Sequence, residues 1–224
     1  MAGQGQKTRL YGLFAEIGKA LSNPGRLELL DLLVQAPRTV EELAAEAHMS
    51  VANASQHLQR LKQARLVKVE QDGKLRRYRV AAPVVGQLLH TVTSVARQQL
   101  AEVEQTLEAY RNRRHEFERV TVQELQGRLQ AGDIILIDVR PEVEYQNGHL
   151  PGAHSMPLSE IQRTLASLPD DKLVVAYGRG PYCVMADQAL SILTENGREA
   201  ARLEEGVTEW QLAGFPLRNK HQIT

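Results

Sequence analysis

Cysteine is almost absent from this chain of 224 residues, and Cys183 is its one thiol. A single cysteine excludes an internal disulfide and fits a reducing compartment. Long apolar runs are missing as well. No stretch approaches the roughly 20 residues that a membrane span needs, so no membrane partner is expected. The segment Met1 to Arg9 is polar and lacks the apolar stretch of a secretory signal. Net charge is absent, with 27 Lys+Arg against 27 Asp+Glu. Internal repeats and low-complexity segments are absent too. With 42% hydrophobic and 24% charged residues the composition is ordinary for a globular protein. The length suits two domains. A soluble cytoplasmic protein is the expectation.

The zero net charge hides an asymmetry. Residues up to 118 hold 17 Lys+Arg and 13 Asp+Glu, and the remainder is acidic by the same margin. The excess concentrates in Arg60, Lys62, Arg65, Lys68, Lys74, Arg76, Arg77 and Arg79, opposed only by Glu70 and Asp72. Such a cluster suits a phosphate-binding surface. A solvated charged face is the other reading.

Around that cluster the periodicity predicts helices. Leu10, Leu13, Phe14, Ile17 and Leu21 share one side of the first. Ser22-Asn23-Pro24-Gly25 breaks it, and Pro24 suits the first turn of the next. Thr39 with Glu42 makes a capping box for a short third helix. His48-Met49 is a tight connection, and Ser50 caps a fourth helix reaching about Ala64. Two strands follow, Leu66 to Glu70 and Leu75 to Val80, joined at Asp72-Gly73. Two helices with a tight turn and a basic hairpin make a winged helix-turn-helix, placed at 1–82.

Pro83 opens a long helix striped by Val85, Leu88, Val92, Val95, Leu100, Val103, Leu107 and Tyr110, expected to reach about Arg114. An apolar stripe of that length suggests pairing with a second copy; packing on its own winged helix is the alternative. This dimerisation and linker segment is placed at 83–118, with Arg111 to His115 as the boundary. The third region, 119–224, opens on the capping box of Thr121 and Glu124. Apolar strands at Ile134–Ile137 and Leu173–Tyr177 alternate with helices near 158–168 and 184–195, which predicts an α/β domain with a parallel sheet.

On the fourth helix Asn53, Ser55, Gln56, His57, Gln59 and Arg60 face outward, as side chains that reach base edges in a major groove would. Gln56 and Asn53 are the best suited, because an amide pairs with adenine at two points. Lys62, Arg65, Lys74, Arg76, Arg77 and Tyr78 suit phosphates. Here the chain resembles the ArsR family of dimeric winged-helix repressors, over about residues 10–112. Ala20-Leu21-Ser22-Asn23-Pro24-Gly25-Arg26-Leu27, Ser55-Gln56-His57-Leu58 and Leu66-Val67 carry the resemblance. It implies double-stranded DNA as partner, a homodimer paired through the N-terminal and long helices, and repression until an inducer acts. The chain departs from the family's metal sensors. Val40 to Glu46 holds no thiolate, and the long helix offers only His90, so no metal site is expected. His48, His57, His90 and His115 read as structural or solvent-facing, with His57 supporting the fourth helix or touching the DNA backbone.

Asp138-Val139-Arg140-Pro141-Glu142-Val143-Glu144-Tyr145 and Gly148-His149-Leu150-Pro151-Gly152-Ala153 are similar to the first signature of rhodanese domains. Glu205 to Trp210 and Gly214 to Leu217 match that family's closing segment, so the resemblance covers about 119–218. Asp138, Arg140, Glu144 and His149 read as scaffold. The resemblance places an active loop at Gly178-Arg179-Gly180-Pro181-Tyr182-Cys183, where backbone amides and a helix start cradle an anion. The family's nucleophilic cysteine would come first in that loop. Gly178 stands there, so sulfur transfer through that position is impossible. Cys183 is either a small buried residue or a thiol activated by Arg179 and the helix start, and thus the one catalytic candidate.

Three functions follow. A regulator whose rhodanese-like domain senses a sulfur species or anion comes first. A sulfurtransferase using Cys183 is the enzyme alternative, and a docking module the third. No cofactor is expected.

Overall fold

The computed structural model of the chain describes residues 2–111 and 117–219. Asn112 to His115, part of the expected boundary, lie outside the described residues, as does the side chain of Tyr110. Contacts divide the chain into two compact units, Met1–Thr93 and Ser94–Thr224.

The first unit runs through α1 (Ala2–Leu21), α2 (Pro24–Gln35), α3 (Val40–Glu46), α4 (Val51–Gln63), β1 (Val67–Asp72) and β2 (Leu75–Val80) into α5 (Pro83–Gln99). Local chemistry starts each middle helix. Asn23 caps α2 by accepting the Arg26 N–H, and Pro24 is preset for the first turn. Thr39 and Glu42 close the capping box of α3. Ser50 accepts the Asn53 N–H at the start of α4. Between α3 and α4, His48 takes a φ of 49°, an uncommon conformation for a residue with a Cβ, and reverses the chain within a short turn. Leu29, Leu30 and Leu33 from α2, Leu43 from α3, and Leu58 and Leu61 from α4 bury together. That shared core fixes the outer face of α4.

The hairpin differs by one residue from its expected register. Asp72 pairs with Leu75, so Gly73-Lys74 is the two-residue loop. Gly73 has a φ of 60° and Lys74 does not share the positive φ. Positive φ at the first central position alone is the arrangement glycine favours in a hairpin turn. At the hairpin base, Arg38 and Tyr78 exchange backbone hydrogen bonds of 3.0 and 2.7 Å, which adds a short third partner.

The long helix is corrected. It stops at Gln99, Leu100 belongs to no helix, and α6 runs Ala101–Arg111. Neither proline nor glycine lies at the break. Leu100 N–H still closes on Ala96, but Val103 N–H turns back to the Leu100 carbonyl at 3.0 Å, a tighter bond that begins a new helix. Arg97 and Glu104 pair across the interruption at 3.1 Å. The stripe is shared out accordingly: Val85 and Leu89 pack on the first unit's core, Leu107 is buried farther along, and Val95 and Leu100 are about half exposed.

In the second unit β3 (Glu118–Val120), α7 (Val122–Ala131), β4 (Ile134–Asp138), α8 (Glu142–Asn147), β5 (His154–Ser155), α9 (Ile161–Thr164), β6 (Leu173–Tyr177), α10 (Met185–Glu195), β7 (Ala200–Leu203) and α11 (Val207–Leu212) follow in order. The five strands form one parallel sheet in the order β3-β7-β6-β4-β5. The helix expected near 158–168 is α9 flanked by short 3-10 turns. Separate cores cover the two faces, one around Leu125, Leu136 and Trp210, the other around Ile137, Ile161 and Leu190. β6 is central, and the chain leaves its carboxyl end into the 178–183 loop. That is where open parallel sheets place their ligands.

Candidate functional site

Two regions carry the candidate side chains, one in each unit. In the first, the amphipathic α4 turns Ala54, Leu58 and Leu61 inward. Asn53, Gln56, Gln59 and Arg60 are thereby exposed, with Ser55 and His57 half-buried beside them. Gly25 explains the burial of His57. A Cβ on Gly25 would lie 3.2 Å from His57 Nε2, so the ring rests on the start of α2 and braces α4. Lys62 and Arg65 are exposed farther along, and Arg65 has a φ of 58° in the turn into β1.

The basic cluster separates into two kinds of cation. Lys74 and Arg76 are exposed at the hairpin tip, and no ion pair joins either among the described residues. Arg77 instead bonds Asp72 at 3.0 Å and Glu42 at 3.0 Å. Arg79 pairs with Glu70, which Lys68 also approaches at 3.6 Å. Those two cations hold the Glu70 carboxyl below the usual carboxylate range, Arg79 more than Lys68. Tyr78 packs on the hydrophobic core at the hairpin base.

The second region surrounds the loop after β6. Asp138, at the carboxyl end of β4, accepts bonds from Arg140 Nε at 3.0 Å and Nη2 at 2.6 Å, and both side chains are fully buried. Arg140 Nη2 also donates to the Gly148 carbonyl at 2.8 Å, which ties down the following turn. Burial opposes the guanidinium charge, and Asp138 more than offsets it, so the Arg140 pKa is raised. Burial and the Asp138 charge likewise hold the Tyr177 hydroxyl well above its ordinary value. It keeps its proton, donates to Asp138 at 2.6 Å and accepts the Leu150 N–H at 3.1 Å. His149 stacks on Tyr145 at 3.8 Å, and its Nδ1 lies 2.9 Å from the Tyr145 carbonyl. Every one of these bonds ends on the unit's own chain, so the group frames the loop.

Arg179 is drawn into the same frame. Its guanidinium binds the fully buried Glu144 at 2.7 and 3.1 Å. From β7, Arg202 reaches beneath the loop. Its Nη2 donates to the Cys183 carbonyl at 3.1 Å and the Gly180 carbonyl at 3.3 Å, and its Nη1 lies 2.6 Å from Asp187 on α10. Glu209 closes the loop's other side: a Cβ on Gly180 would stand 3.1 Å from its carboxylate, and Gly180 has a φ of 141°. The sequence reading missed Arg202, Asp187 and Glu209. An arginine inside the apolar run Ala200-Ala201-Arg202-Leu203 was the signal for the first.

Cys183 ends this loop, with its sulfur beside Gly178. A Cβ built on Gly178 would come 2.9 Å from its sulfur, closer than such contacts allow, so the thiol fills space that a side chain at residue 178 would need. The backbone N–H groups of Arg179 and Met185 favour the thiolate. Burial nevertheless dominates and pushes the thiol up, against those N–H groups and the charges of Arg179 and Arg202. The buried thiol thus occupies the space beside Gly178. Tyr182, 37% exposed, shares with Leu100 and with Val103 and Leu107 of α6 an apolar groove of about 620 Å³.

Comparison with known proteins agrees with both regions. Residues 23–69 match the family model described as bacterial regulatory protein, arsR family, and residues 121–213 match the rhodanese-like domain. The HTH-type transcriptional regulator Rv0324 of Mycobacterium tuberculosis is 43% identical over 218 residues, which span 97% of this chain and 96% of that protein. A second regulator of that organism, the uncharacterized Rv0081, is 40% identical over 95 residues, 42% of this chain and 80% of its own length. Among solved structures, the homodimeric winged helix-turn-helix DNA-binding domain of Mb0332 from Mycobacterium bovis shares 40% identity, covering 43% of this chain and 89% of that one, with a TM-score of 0.41. The chain belongs to the arsR family of bacterial transcriptional regulators and joins a rhodanese-like domain to its helix-turn-helix.

Proposed function

We propose that this protein is a cytoplasmic repressor that binds operator DNA as a homodimer and changes its grip when the 178–183 loop meets a small sulfur species or anion. In this reading 1–82 contacts DNA, 83–118 pairs two copies and links the units, and 119–224 senses. The observation that carries it is the open polar face of α4, with Asn53, Gln56, Gln59 and Arg60 exposed over a core that holds the helix still. Ser55, His57 and the hairpin residues Lys74, Arg76, Arg77 and Tyr78 flank that face. A rigid helix with short polar side chains outward is what base readout requires. Exposed Leu10, Leu13 and Phe14 on α1 and Val84 and Val95 on α5 supply apolar area for a second copy.

The sensing element is the loop of Gly178, Arg179, Gly180, Tyr182 and Cys183. With glycine first, the loop reports instead of turning over. The Cys183 thiolate attacks the outer sulfur of a low-molecular-weight persulfide, and the donor leaves as its thiol. The sulfur gained enlarges a group that already fills the space beside Gly178. The loop then shifts, and Tyr182 carries the shift to Val103 and Leu107 on α6 through the groove they line together.

The test measures affinity of the full chain for a duplex from its own promoter, with and without a low-molecular-weight persulfide or thiosulfate. The persulfide is expected to change the dissociation constant about 5- to 150-fold, and Cys183→Ser to abolish the response. The response quickens from neutral to alkaline pH, because a thiol whose pKa is raised forms thiolate only as the pH climbs. Unchanged affinity with every sulfur compound and anion removes the sensing role and leaves DNA binding standing.

A further inference from the structure

We infer that Arg77 is a positioning residue: it sets the angle of the hairpin against the DNA-reading helices and does not itself neutralise a phosphate. The inference rests on the DNA-binding reading and divides the basic cluster within it.

Arg77 sits on β2, yet its guanidinium reaches two other elements. Nε bonds Asp72 Oδ2 at 3.0 Å, at the end of β1 beside the Gly73-Lys74 turn. Nη1 bonds Glu42 Oε2 at 3.0 Å, in the first turn of α3. The same Glu42 oxygen accepts the Thr39 N–H at 2.8 Å, so the carboxylate is already fixed by the capping box. The planar guanidinium holds Nε and Nη1 at a fixed separation and so spans the two carboxylates rigidly, where the flexible point charge of lysine would not fix their spacing. The linkage ties the hairpin tip to α3, which leads through the short His48 turn into α4. The backbone exchange between Arg38 and Tyr78 holds the hairpin base. Arg77 supplies a second attachment nearer the tip, and two attachments fix an angle that one leaves free to pivot.

Charge points the same way. Two carboxylates surround the Arg77 guanidinium, whose side chain is 25% exposed. Moving it to a phosphate would leave Glu42 and Asp72 facing the anionic backbone. Lys74 and Arg76, exposed at the tip, carry no such penalty.

Counterion release separates the two roles. A cation that neutralises a phosphate adds about one to the salt slope of binding, and a positioning residue adds nothing to it. Affinity of the full chain for the promoter duplex is measured across a salt series for the wild type and for Arg76→Ala, Arg77→Ala, Arg77→Lys and Glu42→Gln. Arg76→Ala is expected to lower the slope by about one for each hairpin engaged. Arg77→Ala, Arg77→Lys and Glu42→Gln are expected to weaken binding by a similar factor, roughly 3- to 10-fold, at every salt concentration with the slope unchanged. In Glu42→Gln the amide oxygen still accepts the Thr39 N–H, so that variant removes the charge and keeps the cap. In the free protein, amide exchange in the hairpin should quicken in all three.

Arg77→Lys is the sharpest arm. A phosphate contact survives that substitution, and the rigid link between Asp72 and Glu42 does not. Near wild-type binding by Arg77→Lys, or a slope lost in Arg77→Ala as in Arg76→Ala, overturns the inference while the salt-sensitive wild type keeps the DNA reading. A wild type that binds duplex without salt dependence overturns both.

Discussion

Gln56→Ala is expected to weaken binding to the specific operator by about 30-fold or more while leaving affinity for unrelated duplex nearly unchanged. An amide paired at two points with adenine is worth roughly 1–3 kcal/mol of discrimination. The proposed homodimer would present the side chain twice, so the low end of the combined effect is about 2 kcal/mol, or 30-fold. Gln56 is exposed and takes no part in the core that holds α4. Its loss should therefore leave the melting temperature in place, which separates lost readout from lost fold. Lys74→Ala is expected to have the opposite signature, because losing the proposed phosphate contact weakens all duplexes alike. Competition binding with operator and scrambled duplex measures both. Equal weakening on the two duplexes would show that Gln56 reads no base.

The second large effect lies in the other unit. Arg140→Met leaves Asp138 buried with its charge uncompensated, retaining only the Tyr177 hydroxyl and the residue 140 N–H as donors. Removing one partner of a buried pair costs about 3–5 kcal/mol. A domain of this size is stable by roughly 5–15 kcal/mol, so the rhodanese-like unit should melt many degrees lower. The first unit has a separate core and should keep its own transition. Replacing both partners, Asp138→Leu with Arg140→Met, should recover much of the loss, because no buried charge then remains. Calorimetry of the wild type, Arg140→Met and the double variant decides it. A single variant that costs under about 1 kcal/mol would mean that water reaches Asp138 and that the pair is not the frame described.

Local signals were readable from the sequence because their partners lie within a few residues. Thr39, Ser50 and Thr121 each cap a helix that begins at the next position. The parallel sheet was legible in the apolar runs of β4 and β6, since strands covered on both faces have no polar side. The hairpin slipped by one residue because Asp72-Gly73 and Gly73-Lys74 are both acceptable turn centres, and the pairing of Asp72 with Leu75 chose between them.

Features set by distant residues were not legible. The break at Leu100 has no breaker residue, and the burial of Leu107 divides a stripe that reads as continuous. Arg77 looked like any other cation of the cluster, because Glu42 is 35 positions away. The crowding of Cys183 against Gly178 depends on how the loop wraps, which spacing alone does not reveal. The pairing of Arg179 with Glu144, 35 positions earlier, is a tertiary choice as well.

Hydroxyl-radical footprinting of the full chain on its operator tests the central claim most directly. Two copies of α4 held in one symmetric assembly should protect two patches on the same face of the duplex, about one helical turn or roughly 34 Å apart, and both should fade together as salt rises. One isolated patch, or protection that persists unchanged at high salt, would contradict the account.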